Sequence, residues 1–289
     1  MPVSLVLGAS GAVGRFLLPR LRAASHAVHA LSRHNHADSV GLHWLTGDLY
    51  AAMPELPRLD AIFSLGPLDG LARWLRGAEF DGSPRLIALG SMSVVSKRDS
   101  SDVAERAMAE RLAQAERTVM QSAARRGMNW TLLRPTMIYG AGLDRSLTPL
   151  ARFGMRWRVF PRLPCAAGLR QPVHADDLAI ACLAAFDSPN ASGRTYALGG
   201  GERLAFGVML ERIRASLPAT TLPLRLPRAA LRTIARTARF FPRQRLSLAS
   251  LARLDIDLIA DDGAARVDLG WAPRAFRPDA RCWIPPSLS

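Results

Sequence analysis

The chain has 289 residues, is 49% hydrophobic and carries a formal net charge of +14. Its length and apolar content suffice for one large domain or for a domain with a smaller lobe. No apolar run reaches the roughly 18–20 residues that span a bilayer, and the first residues are interpreted as a strand, not a signal peptide. The three widely spaced cysteines indicate no disulfide framework and no metal site, and they fit a reducing cytoplasm.

Short apolar runs predict six buried strands, over 3–8, 27–33, 42–48, 60–66, 85–91 and 129–135. Helical spacing predicts helices over 12–24, 103–126, 175–186 and 206–216. This alternation predicts an α/β fold, a doubly wound parallel sheet of the Rossmann type. We expect a dinucleotide-binding domain over 1–139. A smaller, mainly helical C-terminal substrate lobe is expected over 140–289, with some segments returning to the sheet.

The sequence G-A-S-G-A-V-G follows the first predicted strand and opens the first predicted helix. Its glycines let the backbone approach a pyrophosphate, which the N–H groups and dipole of the following helix then bind. The loop therefore predicts a dinucleotide site at Gly8, Ser10, Gly11, Ala12, Val13 and Gly14.

The end of the second strand indicates which dinucleotide binds. An acid there would hold a free ribose 2′-OH, whereas arginine accommodates a 2′-phosphate. This strand ends at Ser32 and Arg33, which favours NADP over NAD. The alternative is that Arg33 is one more surface residue of an arginine-rich chain.

Further motifs follow in order: G-D-L at 47–49, S-M-S at 91–93, R-P-T-M-I-Y-G at 134–140 and V-H-A-D-D-L-A at 173–179. With the glycine loop, this set resembles the extended and atypical short-chain dehydrogenases/reductases, which include nucleotide-sugar epimerases and dehydratases. The resemblance implies that Asp48 and Leu49 flank the adenine and that Asp176 or Asp177 holds the lobes together. It implies further cofactor contacts at Leu65, Gly66, Pro135, Thr136 and Ile138.

Active members of this family use a Tyr-x-x-x-Lys pair for proton transfer. Lys97 is the one lysine of this chain, and no tyrosine lies four residues before it. If Glu116 matches the family's glutamate, the places of the pair fall at Met108 and Leu112, both apolar. We expect Lys97 to be a solvated loop lysine; the alternative is a Ser-x-x-x-Lys pair with Ser93. Candidate catalytic groups are Ser91, Ser93 and Tyr139.

Two functions remain open at this stage. One is an NADP-dependent oxidoreductase or epimerase that acts on a small anionic or nucleotide-linked substrate without the usual pair. The other is a catalytically silent protein that binds the dinucleotide for structure or sensing. The second would resemble the NmrA-type regulators or the accessory subunit of respiratory complex I.

Ten arginines and no acid lie between Arg212 and Leu254. Within this stretch, residues 227–241 have the pattern of a basic amphipathic helix, which can lie on an anionic membrane. The alternative is an ordinary surface helix packed on the substrate lobe. Nucleic acid is not an expected partner because no binding motif accompanies the arginines.

Overall fold

The computed structural model describes residues 1–79, 81–163, 166–227 and 254–288. Its centre is a seven-stranded sheet in which every neighbouring pair is parallel. The strands are β1 Val3–Leu7, β2 Ala27–Ser32, β3 Leu42–Thr46, β4 Ala61–Ser64, β5 Arg85–Leu89, β6 Trp130–Pro135 and, later in the chain, β11 Arg194–Leu198. Their order across the sheet is β11-β6-β5-β4-β1-β2-β3.

Helices cover both faces of the sheet. The helices α1 Gly14–Ala23 and α6 Ala175–Asp187 share one buried apolar cluster with one side of the strands. The helices α2 Leu68–Gly77 and α4 Val103–Arg125 share the cluster on the other side. A short helix, α3 Ser93–Ser96, lies between β5 and α4. Because helices cover both faces of this parallel sheet, its strands are buried on both sides and are nearly continuous apolar runs.

The lobe has its own core around Phe160, Met209, Phe276 and Trp283. Its described elements include α5 Leu147–Trp157, α7 Phe206–Ala215 and α8 Gly263–Leu269. Three two-stranded sheets join them, pairing β7 Ile138–Tyr139 with β10 Val173–His174, β9 Leu169–Arg170 with β12 Leu204–Ala205, and β8 Val159–Arg162 with β13 Leu222–Arg225. The lobe therefore contains more strand than a mainly helical prediction implies.

The predicted doubly wound parallel sheet is confirmed. The six predicted strands correspond to β1 to β6 with small differences at the ends. The sequence analysis did not predict α2, α5 or the specific strand β11, which comes from the lobe half and pairs with β6. Of the predicted basic helix at 227–241, residues 228–241 lie outside the described residues.

Candidate functional site

The loops that leave the carboxyl ends of the strands lie along one edge of the sheet, because all seven strands run in the same direction. Strands β1 and β4 are neighbours although β2 and β3 separate them in sequence, so the strand order reverses there. Such a reversal leaves a crevice in which ligands bind in open α/β sheets. The glycine loop follows β1 and Gly66 follows β4, so both lie at this crevice.

The glycine loop is closely packed at this point. Gly8 has a φ of +79°, and a Cβ built on it would lie 2.8 Å from the backbone nitrogen of Gly66. The backbone N–H of Gly11 donates to the carbonyl oxygen of Gly8 at 3.0 Å. A Cβ on Gly14, the first residue of α1, would clash with the carbonyl oxygen of Ala9. The loop thus presents bare backbone in front of a helix N-terminus, which suits a pyrophosphate.

The C-terminal segment reaches the glycine loop through Arg15. The Nε of this arginine donates to the carbonyl oxygen of Ser10 at 3.1 Å, and its guanidinium also donates to the carbonyl oxygen of Pro286. Burial lowers the pKa of Arg15. The sequence analysis missed this contact, since two residues so far apart in the chain leave no pattern.

Several polar groups lie close together at the end of β2 and in the loop that follows it. The hydroxyl of Ser32 accepts from the backbone N–H of His34 at 3.1 Å and lies 3.1 Å from Nε2 of His36. The ring of His36 packs at 4.3 Å from that of Trp44, and Arg33 is exposed beside them. The sequence analysis named Ser32 and Arg33 but missed His36, which the irregular loop after β2 folds back onto Ser32.

The predicted adenine-flanking residues lie in the turn after β3. The Oδ1 of Asp48 accepts from the backbone N–H of Tyr50 at 2.9 Å, which closes that turn. Leu49 packs against α2, where a Cβ on Gly70 would lie 3.1 Å from the Leu49 Cβ. On the neighbouring strand end, the N–H of Leu65 donates to the carbonyl oxygen of Leu7 at 2.8 Å.

The segment after β6 joins the sheet to the lobe. The N–H of Thr136 donates to Leu198 at 2.9 Å, and its hydroxyl donates to the carbonyl oxygen of Gln171. Pro135 ends β6 and pairs with Leu198 of β11. Ile138 lies in β7 and pairs with Val173. Thr136 and its neighbours are thus fixed between the two parts of the chain.

Ser91 and Ser93 follow β5 at the same edge, and both are half-buried. The Ser91 hydroxyl accepts from the Ser93 N–H at 3.1 Å, and the N–H of Met92 donates to Pro135 at 3.0 Å. These bonds hold both serines in place beside the start of the segment that follows β6. A hydroxyl that accepts a hydrogen bond still has its own proton to donate.

Tyr139 lies in the core of the lobe and is 2% exposed. Its ring makes edge contacts with His174 at 5.1 Å and with Phe276 at 4.8 Å. Burial raises the pKa of its hydroxyl, with a smaller contribution from Cys282. The structure therefore gives Tyr139 a packing position, which disfavours its candidacy as a proton donor.

Lys97 extends from the end of α3 onto α4. Its Nζ lies 3.4 Å from the sulfur of Met108 and 4.0 Å from a carboxylate oxygen of Glu105. Its side chain is 22% exposed, so it is less solvated than the sequence analysis expected. Lys97 ties the loop to the helix at Met108, where the resemblance would place the family's tyrosine.

An ion-paired cluster joins α1, α6 and the C-terminal part of the lobe. Asp176 accepts from Arg20 at 2.6 Å and from Arg274 at 2.8 Å, while Asp177 accepts from Arg274 at 2.8 Å. Burial raises the pKa of Asp176, but the two arginines outweigh it and the net pKa is lowered. These contacts are of the kind expected for a pair that holds the two parts of the chain together.

His174 caps the helix that carries the two aspartates. Its Nδ1 accepts from the N–H of Asp176 at 3.1 Å, so that nitrogen bears no proton. Burial and the nearby Arg274 lower the pKa of His174, against smaller opposing effects of Asp177 and Asp176. The sequence analysis quoted this histidine within a motif but gave it no role.

Residues 8–146 match the family model described as NAD(P)H-binding. A search of curated proteins finds no significant match. Among solved structures, the epimerase Mth375 from Methanothermobacter thermautotrophicus has a TM-score of 0.71 at 17% identity, over 97% of this chain and 90% of that one. MoeE5 in complex with UDP-glucose and NAD has a TM-score of 0.70 at 18% identity, over 97% and 96% of the two chains.

The UDP-glucuronic acid 4-epimerase from Bacillus cereus in complex with NAD has a TM-score of 0.67 at 13% identity, over 98% of this chain and 97% of that one. The sheet order and the glycine loop therefore define a Rossmann-type fold, and its N-terminal part matches a family model for NAD(P)H binding. The chain shares the fold of these epimerases, which confirms the predicted resemblance at the level of the fold. In the described part of the chain, no helix is long and apolar enough to cross a membrane.

Proposed function

We propose that this protein binds NADP in preference to NAD and acts as an oxidoreductase or epimerase on a small anionic or nucleotide-linked substrate. The observation that carries the proposal is the packed glycine loop at the crevice between β1 and β4. The arginine at the end of β2 supplies the preference, because it stands where other dinucleotide sites carry an acid.

The residues at the sheet edge fit such a cofactor. The pyrophosphate would lie on the glycine loop at the start of α1, where a side chain on Gly8 would meet Gly66. The 2′-phosphate would lie at Arg33, with the Ser32 hydroxyl and the His36 ring close by. Asp48 and Leu49 would flank the adenine, and Thr136 and Ile138 would pass near the nicotinamide.

When bound, the nicotinamide supplies hydride transfer. The chain's own contribution is to orient the substrate and bind the reacting oxygen. Ser91 and Ser93 are half-buried hydroxyls at this edge, and each can donate a hydrogen bond to that oxygen. If Glu116 matches the family's glutamate, Met108 stands in the place of the tyrosine that would transfer a proton, and its sulfur lies 3.4 Å from Nζ of Lys97.

A UDP-sugar is a reasonable first substrate to test, because MoeE5 was solved with UDP-glucose and NAD. The protein, loaded with NADP, is mixed with UDP-glucose or UDP-glucuronic acid, and the nicotinamide absorbance and sugar products are followed. Turnover that falls about a hundredfold in the Ser91→Ala, Ser93→Ala double variant supports an enzyme with hydroxyls in this role.

The second candidate is a catalytically silent dinucleotide-binding protein. The burial of Tyr139 and the tethering of Lys97 to Met108 favour it, because both remove groups that could transfer protons. Tight NADP binding with no turnover of any sugar nucleotide would support this candidate. The absence of binding to either dinucleotide would contradict both.

A further inference from the structure

Helix α5 has one buried face and one exposed face. Leu147, Thr148, Ala151 and Gly154 are buried, and Gly154 packs so closely that a Cβ there would lie 2.7 Å from Phe160. The opposite face carries four exposed side chains in an aromatic and basic alternation: Arg152, Phe153, Arg156 and Trp157. Phe153 is 46% exposed and Trp157 is 60% exposed, which is unusual for aromatic residues.

Strand β13 continues this face. The backbone N–H of Leu222 donates to the carbonyl oxygen of Arg158, the residue that follows Trp157. β13 then pairs with β8 in parallel, and all four of its residues are exposed. Leu222 is 70% exposed and Leu224 is 50% exposed. Four large apolar side chains, two from the helix and two from the strand, therefore lie on one part of the lobe surface.

Exposed arginines occur on the same helix and strand. Arg156 lies over the Trp157 ring at 5.4 Å, Arg158 follows Trp157 in the chain, and Arg225 ends β13. Among the described residues, none of these three arginines lies within ion-pair distance of a carboxylate. The sequence itself has no aspartate or glutamate from 145 to 175 or from 212 to 254. The face therefore combines exposed apolar side chains with positive charges that no described carboxylate neutralises.

We propose that this face, which we call the α5–β13 face, docks on an anionic lipid surface. Aromatic and leucine side chains bury into the boundary between headgroups and acyl chains, while arginines pair with lipid phosphates. A second copy of the chain fits poorly, because a self-complementary contact would bring like charges together. Nucleic acid would match the arginines but leave both exposed leucines without a role. The proposal does not depend on the proposed enzyme activity.

The test is co-sedimentation of the full chain with vesicles of phosphatidylcholine alone or with phosphatidylserine added. We expect binding to the anionic vesicles that falls steeply with salt. The Phe153→Ser, Trp157→Ser double variant should lower the partition coefficient about tenfold, because two apolar anchors are lost. Arg156→Glu and Arg225→Glu should each lower it about fivefold or more, in line with about 1 kcal/mol for each arginine near a charged surface.

Matched control variants distinguish a specific effect of this face from the general effect of losing an exposed apolar side chain or a positive charge elsewhere on the surface. Val267→Ser removes an apolar side chain that is 84% exposed on α8, and Arg125→Glu makes the same charge change on α4. Both should bind vesicles like the unchanged chain, and all variants should melt at its temperature. Equal losses in the controls, or unchanged binding in the Phe153→Ser, Trp157→Ser variant, overturn the proposal. The proposal is also overturned if the chain forms a dimer without lipid and the double variant dissociates that dimer. It is overturned as well if the chain binds duplex DNA and the double variant weakens that binding to the same extent.

Discussion

The buried carboxylate of Glu116 accepts two hydrogen bonds from the guanidinium of Arg134, at 3.0 and 2.6 Å. This pair joins the middle of α4 to the end of β6. A Cβ on Gly90 would lie 2.8 Å from the same carboxylate, so the space around the pair is full. Arg134, the first residue of the R-P-T-M-I-Y-G motif, therefore holds the helix on the sheet.

Breaking this pair should destabilise the protein. Glu116→Gln keeps the shape of the side chain but leaves the Arg134 charge without its partner. We expect a loss of about 3 kcal/mol in the free energy of unfolding. Urea unfolding measures it, and Glu110→Gln, an exposed position on the same helix, is the control with an expected change below about 0.5 kcal/mol. Equal losses of unfolding free energy in both variants would show that the Glu116–Arg134 pair adds no stability beyond that of an exposed carboxylate.

The glycine loop gives a second prediction. Gly14→Ala places a methyl group against the carbonyl oxygen of Ala9, so the loop must open and lose its shape for a pyrophosphate. We expect dinucleotide affinity to fall by about a hundredfold or more, a loss of about 2.7 kcal/mol. Gly77→Ala is the matched control, since a Cβ there meets nothing within 4 Å. Affinity that Gly14→Ala leaves intact would place the cofactor elsewhere.

Lys97 gives a third prediction, about the loop before α4. Its Nζ contacts Met108 and Glu105, so this lysine holds the loop against the helix. Lys97→Ala should leave NADP affinity within about twofold, while it lowers stability by about 1 kcal/mol at most. Calorimetry and thermal melting measure the two quantities. A tenfold loss of affinity would mean that the lysine reaches the cofactor.

Sequence reasoning predicted the sheet because its strands are short apolar runs, as at Val6, Ile62 and Leu132, and such runs are the strongest local pattern. It predicted the glycine loop for the same reason, since strand, glycines and helix follow one another without a gap. Strand β11 was missed as a member of the sheet because R-T-Y-A-L is short and follows a helix of the lobe half. Its place depends on pairing with β6, a contact between residues far apart in the chain.

The site could be predicted in part. Ser32 and Arg33 follow a strand, so their place at the sheet edge could be foreseen. His36 could not, because an irregular loop returns it to the Ser32 hydroxyl. Tyr139 was named from a motif alone, and a motif does not reveal that a side chain points into the lobe core.

The cap of α6 predicts a dependence of stability on pH. The pKa of His174 is lowered from its ordinary value of 6.5, mainly by burial. The unfolded chain then binds a proton more readily than the folded one. Stability from this group is full above pH 6.5 and is lost as the pH falls toward the lowered pKa. His174→Asn keeps a capping oxygen and should reduce the slope of the melting temperature between about pH 5 and 7, while the remaining slope comes from His26 and His29, whose pKa values burial also lowers. His34→Asn, at an exposed position, should leave the slope unchanged.

We propose that Arg33, which follows the last residue of β2, makes this an NADP site. The most direct measurement is calorimetric titration of the unchanged chain and of Arg33→Asp with NADPH and with NADH. We predict tighter binding of NADPH by the unchanged chain. The aspartate would hold the ribose 2′-OH and repel the 2′-phosphate, so the variant should prefer NADH, with a reversal of about tenfold or more. Equal affinities of the unchanged chain for the two dinucleotides, unaltered by Arg33→Asp, would contradict a role for Arg33 in the selection of NADP.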